Sequence, residues 1–163
     1  MFIAHASPGT LKRRAFSLIE LVIVVVIIGI IGAIAIPRMS RGAAGAADSA
    51  LVGDLAVVRS AIDLYKAEHG GDLPALATFE DELTTYSDPL GTTSATKDSD
   101  HYLGPYLREI PTLKVGSNRG QSAVAASQGG SSAGWVYDET TGEFFANLPD
   151  AETDAQGVPY NDY

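Results

Sequence analysis

Glu20 is the one ionisable side chain in the 21 residues from Phe16 to Ile36, a run otherwise made of Leu, Ile, Val, Ala, Gly, Phe and Ser. A carboxylate inside such a run costs on the order of 3 kcal/mol by insertion scales, so it needs a charged partner, a hydrated interface or a function. A second group with chemical potential is acidic: Asp150, Glu152 and Asp154 stand close together, followed by Asp162. Hard oxygen ligands of this kind suit Ca²⁺, and a solvated acidic tail is the competing reading. Nothing else in the chain carries a catalytic pattern. There is no cysteine, His5, His69 and His101 are isolated, and no helical histidine pair at zinc spacing occurs. Gly129-Gly130 lacks the lysine and the strand–helix setting of a phosphate loop, and the hydroxyls and carboxylates form no triad by sequence. These observations point to a protein that is not an enzyme.

The element that must position Glu20 is a helix. At about 1.5 Å per residue, Phe16 to Ile36 makes roughly 31 Å, enough to cross a bilayer core of about 30 Å. Lys12, Arg13 and Arg14 immediately precede it. By the positive-inside rule they keep the N-terminal side in the cytoplasm and send the rest across. Two plainer readings compete. A secretory signal would be cleaved after a small-x-small site, which Ala33-Ile34-Ala35 and the Ala43–Ala47 stretch supply, but its apolar region is shorter and carries no carboxylate. A plain membrane anchor explains the length and leaves Glu20 unexplained.

The whole string Arg13-Arg14-Ala15-Phe16-Ser17-Leu18-Ile19-Glu20 resembles the class III signal of type IV pilins and type II secretion pseudopilins. The resemblance implies cleavage by a prepilin peptidase between Ala15 and Phe16 and N-methylation of Phe16. It places the family's assembly glutamate at Glu20 and its helix-breaking proline at Pro37. The family usually has Gly before the cut, where this chain has Ala15. In the fibres of that family, Glu20 would pair with the Phe16 amine of a neighbouring subunit. Such a pair sets register, because a misplaced subunit leaves a charge unpaired in low dielectric.

Beyond Pro37, glycines at 42, 45 and 53 weaken helix by about 1 kcal/mol each relative to alanine, and proline loses a backbone bond. A bend or melted segment is the expectation there, with a simple juxtamembrane linker as the alternative. From Asp48 the helical period returns. Leu51, Leu55, Val58, Ile62 and Tyr65 draw one apolar stripe at spacings of 4, 3, 4 and 3, and Gly70-Gly71 stops it. Thr78 is expected to cap a short helix from Phe79 to about Tyr86, rich in acid in its first turn. Thr92–Asp100 and Ser117–Gly134 are expected as loops. Gly134–Tyr137 and Glu143–Asn147 are expected as two strands joined by a turn at Asp138–Gly142, with Trp135 packing on the helical stripe. Ile62-Asp63-Leu64-Tyr65-Lys66 and Tyr102-Leu103-Gly104-Pro105-Tyr106-Leu107 resemble the major pseudopilin, although Thr112-Leu113-Lys114-Val115-Gly116 replaces that subfamily's usual Asp-Pro-Trp-Gly. Major pseudopilins bind calcium in a C-terminal loop, which by resemblance points again at Asp150, Glu152 and Asp154, without a residue-by-residue match.

The formal charge is −9, and removal of the leader with its three basic residues takes it to about −12. So acidic a chain is poorly suited to tracking a phosphate backbone, and nucleic acid is not an expected partner. Without disulfides an exported domain depends on core packing, with or without a metal.

The expected architecture is α+β and pilin-like: a leader over 1–15, a transmembrane and assembly helix over 16–37, its continuation over 38–71, and a head over 72–163. A small antiparallel sheet packs on the helix's second half. The expected function is a structural subunit of a homo-oligomeric helical pseudopilus that drives type II secretion. Its partners would be prepilin peptidase, an inner-membrane assembly platform with its cytoplasmic ATPase, and minor pseudopilins. It would sit first in the inner membrane with a periplasmic C-terminal domain. Two alternatives stand beside it: a major or minor subunit of a cell-surface type IV pilus, serving adhesion, motility or DNA uptake, and a membrane-anchored or secreted binding domain.

Overall fold

The computed structural model describes residues 17–129 and 132–163, with side chains for all of these except 34–42. The chain divides into two compact units, Met1–Arg41 and Gly42–Tyr163.

The first helix, α1, runs Leu18–Glu68. It passes through Pro37, Gly42, Gly45 and Gly53, so the expected melted segment is helical. Ala43, Ala44, Ala46 and Ala47, the strongest helix formers, offset the glycines, and the helix continues through Pro37 despite the lost donor and the crowding of the carbonyl one turn earlier. In the first unit the described part of α1 is apolar on every side. From Leu18 to Ile31 each large apolar side chain is between 45% and 81% exposed. Among the described residues no helix is long and apolar enough to cross a membrane. The apolar stretch with described side chains, 17–33, spans about 25 Å at 1.5 Å per residue, short of a roughly 30 Å core.

The second unit is built on the other end of α1. Leu51, Leu55, Val58, Ile62 and Tyr65 are all buried, as the 4-3-4-3 spacing requires. Helix α1 ends in a glycine cap: Gly70 and Gly71 adopt φ of 70° and 104°, and the Gly71 amide donates to the Lys66 carbonyl at 2.9 Å. A 3₁₀ turn, Leu76–Thr78, leads into α2, Phe79–Thr84. Helix α2 is shorter than expected, since Tyr86 belongs to β1, Tyr86–Ser87, paired antiparallel with β2, Thr93–Ser94. Thr78 does not cap with its side chain. Its hydroxyl donates instead to Glu82, whose other oxygen accepts from the Ala75 amide at 3.1 Å.

The main sheet has three strands in the order β3 (Val124–Ala125), β4 (Trp135–Tyr137), β5 (Phe144–Ala146). The β4–β5 hairpin is antiparallel with Val136 opposite Phe145. Its turn closes on Gly142 at φ 83°, and Asp138 Oδ1 accepts from the Thr140 amide. Strand β3 runs parallel to β4, so the sheet is mixed where an all-antiparallel one was expected. It lies inside the Ser/Gly/Ala-rich stretch expected as a loop. The pairing is made by backbone groups, which need partners whatever side chains they carry. Gly134 serves that closeness: a Cβ there would stand 2.2 Å from the Gln121 carbonyl oxygen.

Trp135, Tyr137, Phe144 and Phe79 form an aromatic layer beside the α1 stripe, with Trp135–Phe144 and Phe79–Tyr137 ring centroids 5.1 and 4.5 Å apart. Each ring that carries a polar handle satisfies it. Trp135 Nε1–H donates to the Pro111 carbonyl at 2.7 Å and the Tyr137 hydroxyl to the Pro74 carbonyl at 3.0 Å.

Candidate assembly and processing site

Of the residues expected to carry function, Ala15 and Phe16 lie outside the described residues. Glu20 is described, and it stands in the first turn of α1, where the helix dipole favours a negative charge. Its side chain is exposed among exposed Leu, Ile and Val. Pro37 is within α1, and its side chain lies outside the described set. A helix that is apolar all round belongs inside a membrane or among other helices. The chemistry this surface offers is association: one carboxylate on a helix that presents no other charge between Ser17 and Ala33.

The three acidic residues of the C-terminal segment are not brought together. Asp150 Oδ1 accepts from Asn161 Nδ2 at 2.8 Å, and Glu152 Oε2 accepts from the Ser117 amide at 2.7 Å. Asp154 Oδ1 accepts from the amides of Gln156 and Val158, at 2.8 and 2.9 Å, while its Oδ2 accepts from the Tyr163 hydroxyl. The Tyr163 hydrogen bond, helped by those amides, holds the Asp154 carboxyl below the usual carboxylate range. Among the described residues no group of three or more His, Asp or Glu side chains is placed to hold a metal ion. Each of the three carboxylates accepts from a different protein donor.

The end of α1 carries a pair that resembles half of a nucleophilic site. His69 Nδ1–H donates to the Tyr65 carbonyl at 2.8 Å, leaving Nε2 to accept from Ser87 Oγ at 3.1 Å. Ser87 is wholly buried and His69 nearly so, and the imidazole stacks on Tyr65 with centroids 3.7 Å apart. A nucleophile needs access to substrate, and its base is oriented in most such sites by a carboxylate. Here a backbone carbonyl does the orienting. The pair fastens α1 to β1, which agrees with a structural His69. The Gly104–Leu107 segment adds a second fastening. Tyr106 and Leu107 amides both donate to the Leu83 carbonyl at 2.9 Å, and the Tyr106 hydroxyl donates to Glu68 Oε2 at 2.7 Å. Burial and the Glu68 contact raise the Tyr106 phenol well above its ordinary range.

Open clefts flank the helix among the described residues. One, of about 550 Å³, lies by Arg59, Phe145 and Tyr163. A second, of about 400 Å³, lies by Asp54, Glu80, Glu109 and Lys114. In the second, Asp54 Oδ2 is buried with no hydrogen-bond partner, and burial raises its carboxyl pKa against the pull of Lys114.

Arg59 and the tyrosines at 106, 160 and 163 were missed as organising residues by sequence reasoning. Their signal is slight, since an isolated Arg or Tyr on a polar segment looks like surface.

The family model described as the prokaryotic N-terminal methylation motif matches residues 10–36. The match covers 27 of the 163 residues, and the chain therefore carries a type IV pilin-like prepilin signal, a motif of prepilin-peptidase substrates. No curated protein and no solved structure matches the chain. The helix, the further short helix and the small sheets make an α+β architecture consistent with a pilin-like subunit.

Proposed function

We propose that this chain is the structural subunit of a pseudopilus that drives type II protein secretion, and that it is not an enzyme. The observation that carries the reading is the methylation motif over residues 10–36, whose part from Leu18 onward is helical and exposes its large apolar side chains from Leu18 to Ile31. Prepilin peptidase cuts between Ala15 and Phe16, Phe16 is methylated, and the helix waits in the inner membrane with the head in the periplasm. Assembly transfers the same apolar surface from lipid to neighbouring helices, and Glu20 sets the stagger by meeting a neighbour's Phe16 amine. The absence of cysteine and the resemblance around Tyr102–Leu107 support the secretion branch over the surface-pilus branch.

The deciding experiment is the intact mass and N-terminal sequence of the protein recovered from membranes. A chain that starts at methylated Phe16 is expected. A start after Ala35, or between Ala43 and Ala47, would make the apolar run a discarded signal and remove the fibre reading. With processing established, deletion of the gene is expected to abolish protein export; fibres sheared from the surface of wild-type cells, with export intact in the deletion, would assign the chain to a type IV pilus instead.

A further inference from the structure

The acidic C-terminal segment is not a solvated tail. It grips α1 at two levels. The Tyr160 hydroxyl donates to Asp48 Oδ1 at 2.8 Å, and Arg59 of α1 donates from Nη2 to the Tyr163 carbonyl and from Nε to the Phe144 carbonyl at 3.0 Å. Asp48 and Arg59 are eleven residues apart, which on a helix is about three turns and roughly 16 Å along one side. The segment itself is preformed. Thr153 bridges Pro159, Asp154 ties the loop between them, Tyr163 holds Asp154, and the Tyr160 and Tyr163 rings stack at 6.4 Å. Both rings lie against the core cluster.

On the helix side, residues 43–46 are exposed, and among the described residues of this unit's helix Ala47 is the first to touch the core. Gly45 stands one turn before Ser49. A mid-helix turn made of Gly and Ala, without a packed face, is a place where a helix opens locally. The bond at Asp48 falls where packing begins.

We propose that Thr153–Tyr163 is a latch that sets where the rigid part of α1 starts. Closed, it holds the helix from Asp48 onward, so that only the glycine–alanine turn before Asp48 opens readily. Released, it lets opening spread into Ser49–Gly53, where Leu51 is the one core residue that resists it, while Leu55, Val58, Ile62 and Tyr65 stay in the core. The latch does not rest on the secretion reading, because it concerns the local stability of this helix whatever the fibre does.

Hydrogen exchange followed by mass spectrometry on the full processed chain in detergent micelles tests it. Tyr160→Phe keeps the ring and removes the hydroxyl; Asp48→Asn weakens the same bond from the helix side. Each is expected to speed exchange of the Ser49–Gly53 amides by about tenfold, the effect of losing a hydrogen bond to a charged group. Exchange over Val58–Tyr65 is expected to stay unchanged, and the double variant to add little to either single one. Unchanged exchange at Ser49–Gly53 in both variants would overturn the latch. So would an equal rise over Val58–Tyr65, which would make the bond a contributor to global stability, or fully additive effects in the double variant. Emission from Trp135, the chain's one tryptophan, reports whether each variant keeps the folded head.

Discussion

The two ends of α1 use the same residue types in opposite ways. Leu51, Leu55 and Val58 are no more than 2% exposed, whereas Leu18, Leu21 and Val24 are 45% exposed or more. Charge explains how the chain tells the two apart. Around the buried stripe, Asp54, Arg59, Asp63, Lys66 and Glu68 occupy other sides of the helix, so one face alone is apolar and one domain can cover it. Around Leu18–Ile31 no face is polar, and no single small domain could cover such a surface. It needs a continuous apolar surround, which means lipid or other helices. The first segment carries what association requires and the second what autonomous folding requires.

The sharpest way to break this comparison is at Glu20. Glu20→Ala is expected to lower fibre recovery about a hundredfold, as loss of one partner of a buried charge pair costs about 3–5 kcal/mol. Membrane insertion and the thermal transition read by Trp135 should not move. A normal yield of fibres from this variant would show that the carboxylate does not set the stagger.

A core truncation tests the other end. Leu55→Ala is expected to destabilise the head by about 3 kcal/mol through lost transfer energy and the cavity left behind. The same deletion at an exposed site, Ile23→Ala, should leave the head's transition where it is. Denaturant unfolding of the full chain in micelles, followed by Trp135 emission, compares the two. Equal losses would mean that the segments are not energetically distinct.

A smaller effect belongs to pH. Hydrogen bonds from Tyr163 and two amides hold Asp154 below its ordinary value, so the stabilisation it contributes is complete above about pH 4 and is lost as pH falls through its folded pKa. Tyr163 is its mirror. The bond to Asp154 pushes the phenol up to about 12, so its contribution is complete below about pH 10 and lost as pH rises toward 12. Asp154→Asn is expected to flatten both limbs of a stability–pH curve by a modest amount, and a curve unchanged at both ends would show that the pair is idle.

Much of this protein was legible as sequence because its signals are local. An uninterrupted apolar run with one carboxylate, a 4-3-4-3 stripe, a Gly-Gly stop and a hairpin turn ending in Gly142 each depend on neighbours within a few residues, where spacing alone dictates which side chains share a face. The processing string could be read for the same reason, because a peptidase reads a short linear motif. The failures share a different cause. Strand β3 pairs through backbone groups in a segment whose side chains advertise nothing, so its partner is chosen by the tertiary fold. Thr78 could cap α2 by type, but a buried Glu82 competes for its hydroxyl. Asp150, Glu152 and Asp154 are close in sequence, yet their hydrogen-bond donors, Asn161, Ser117 and Tyr163 among them, come from different places in the chain. Sequence determines what each side chain is able to offer and which face of its own element it occupies. Only the tertiary structure decides which distant donor claims it, since hydrogen-bond partners such as Tyr160 and Asp48, 112 residues apart, are selected by the packing of the whole head and not by any local rule.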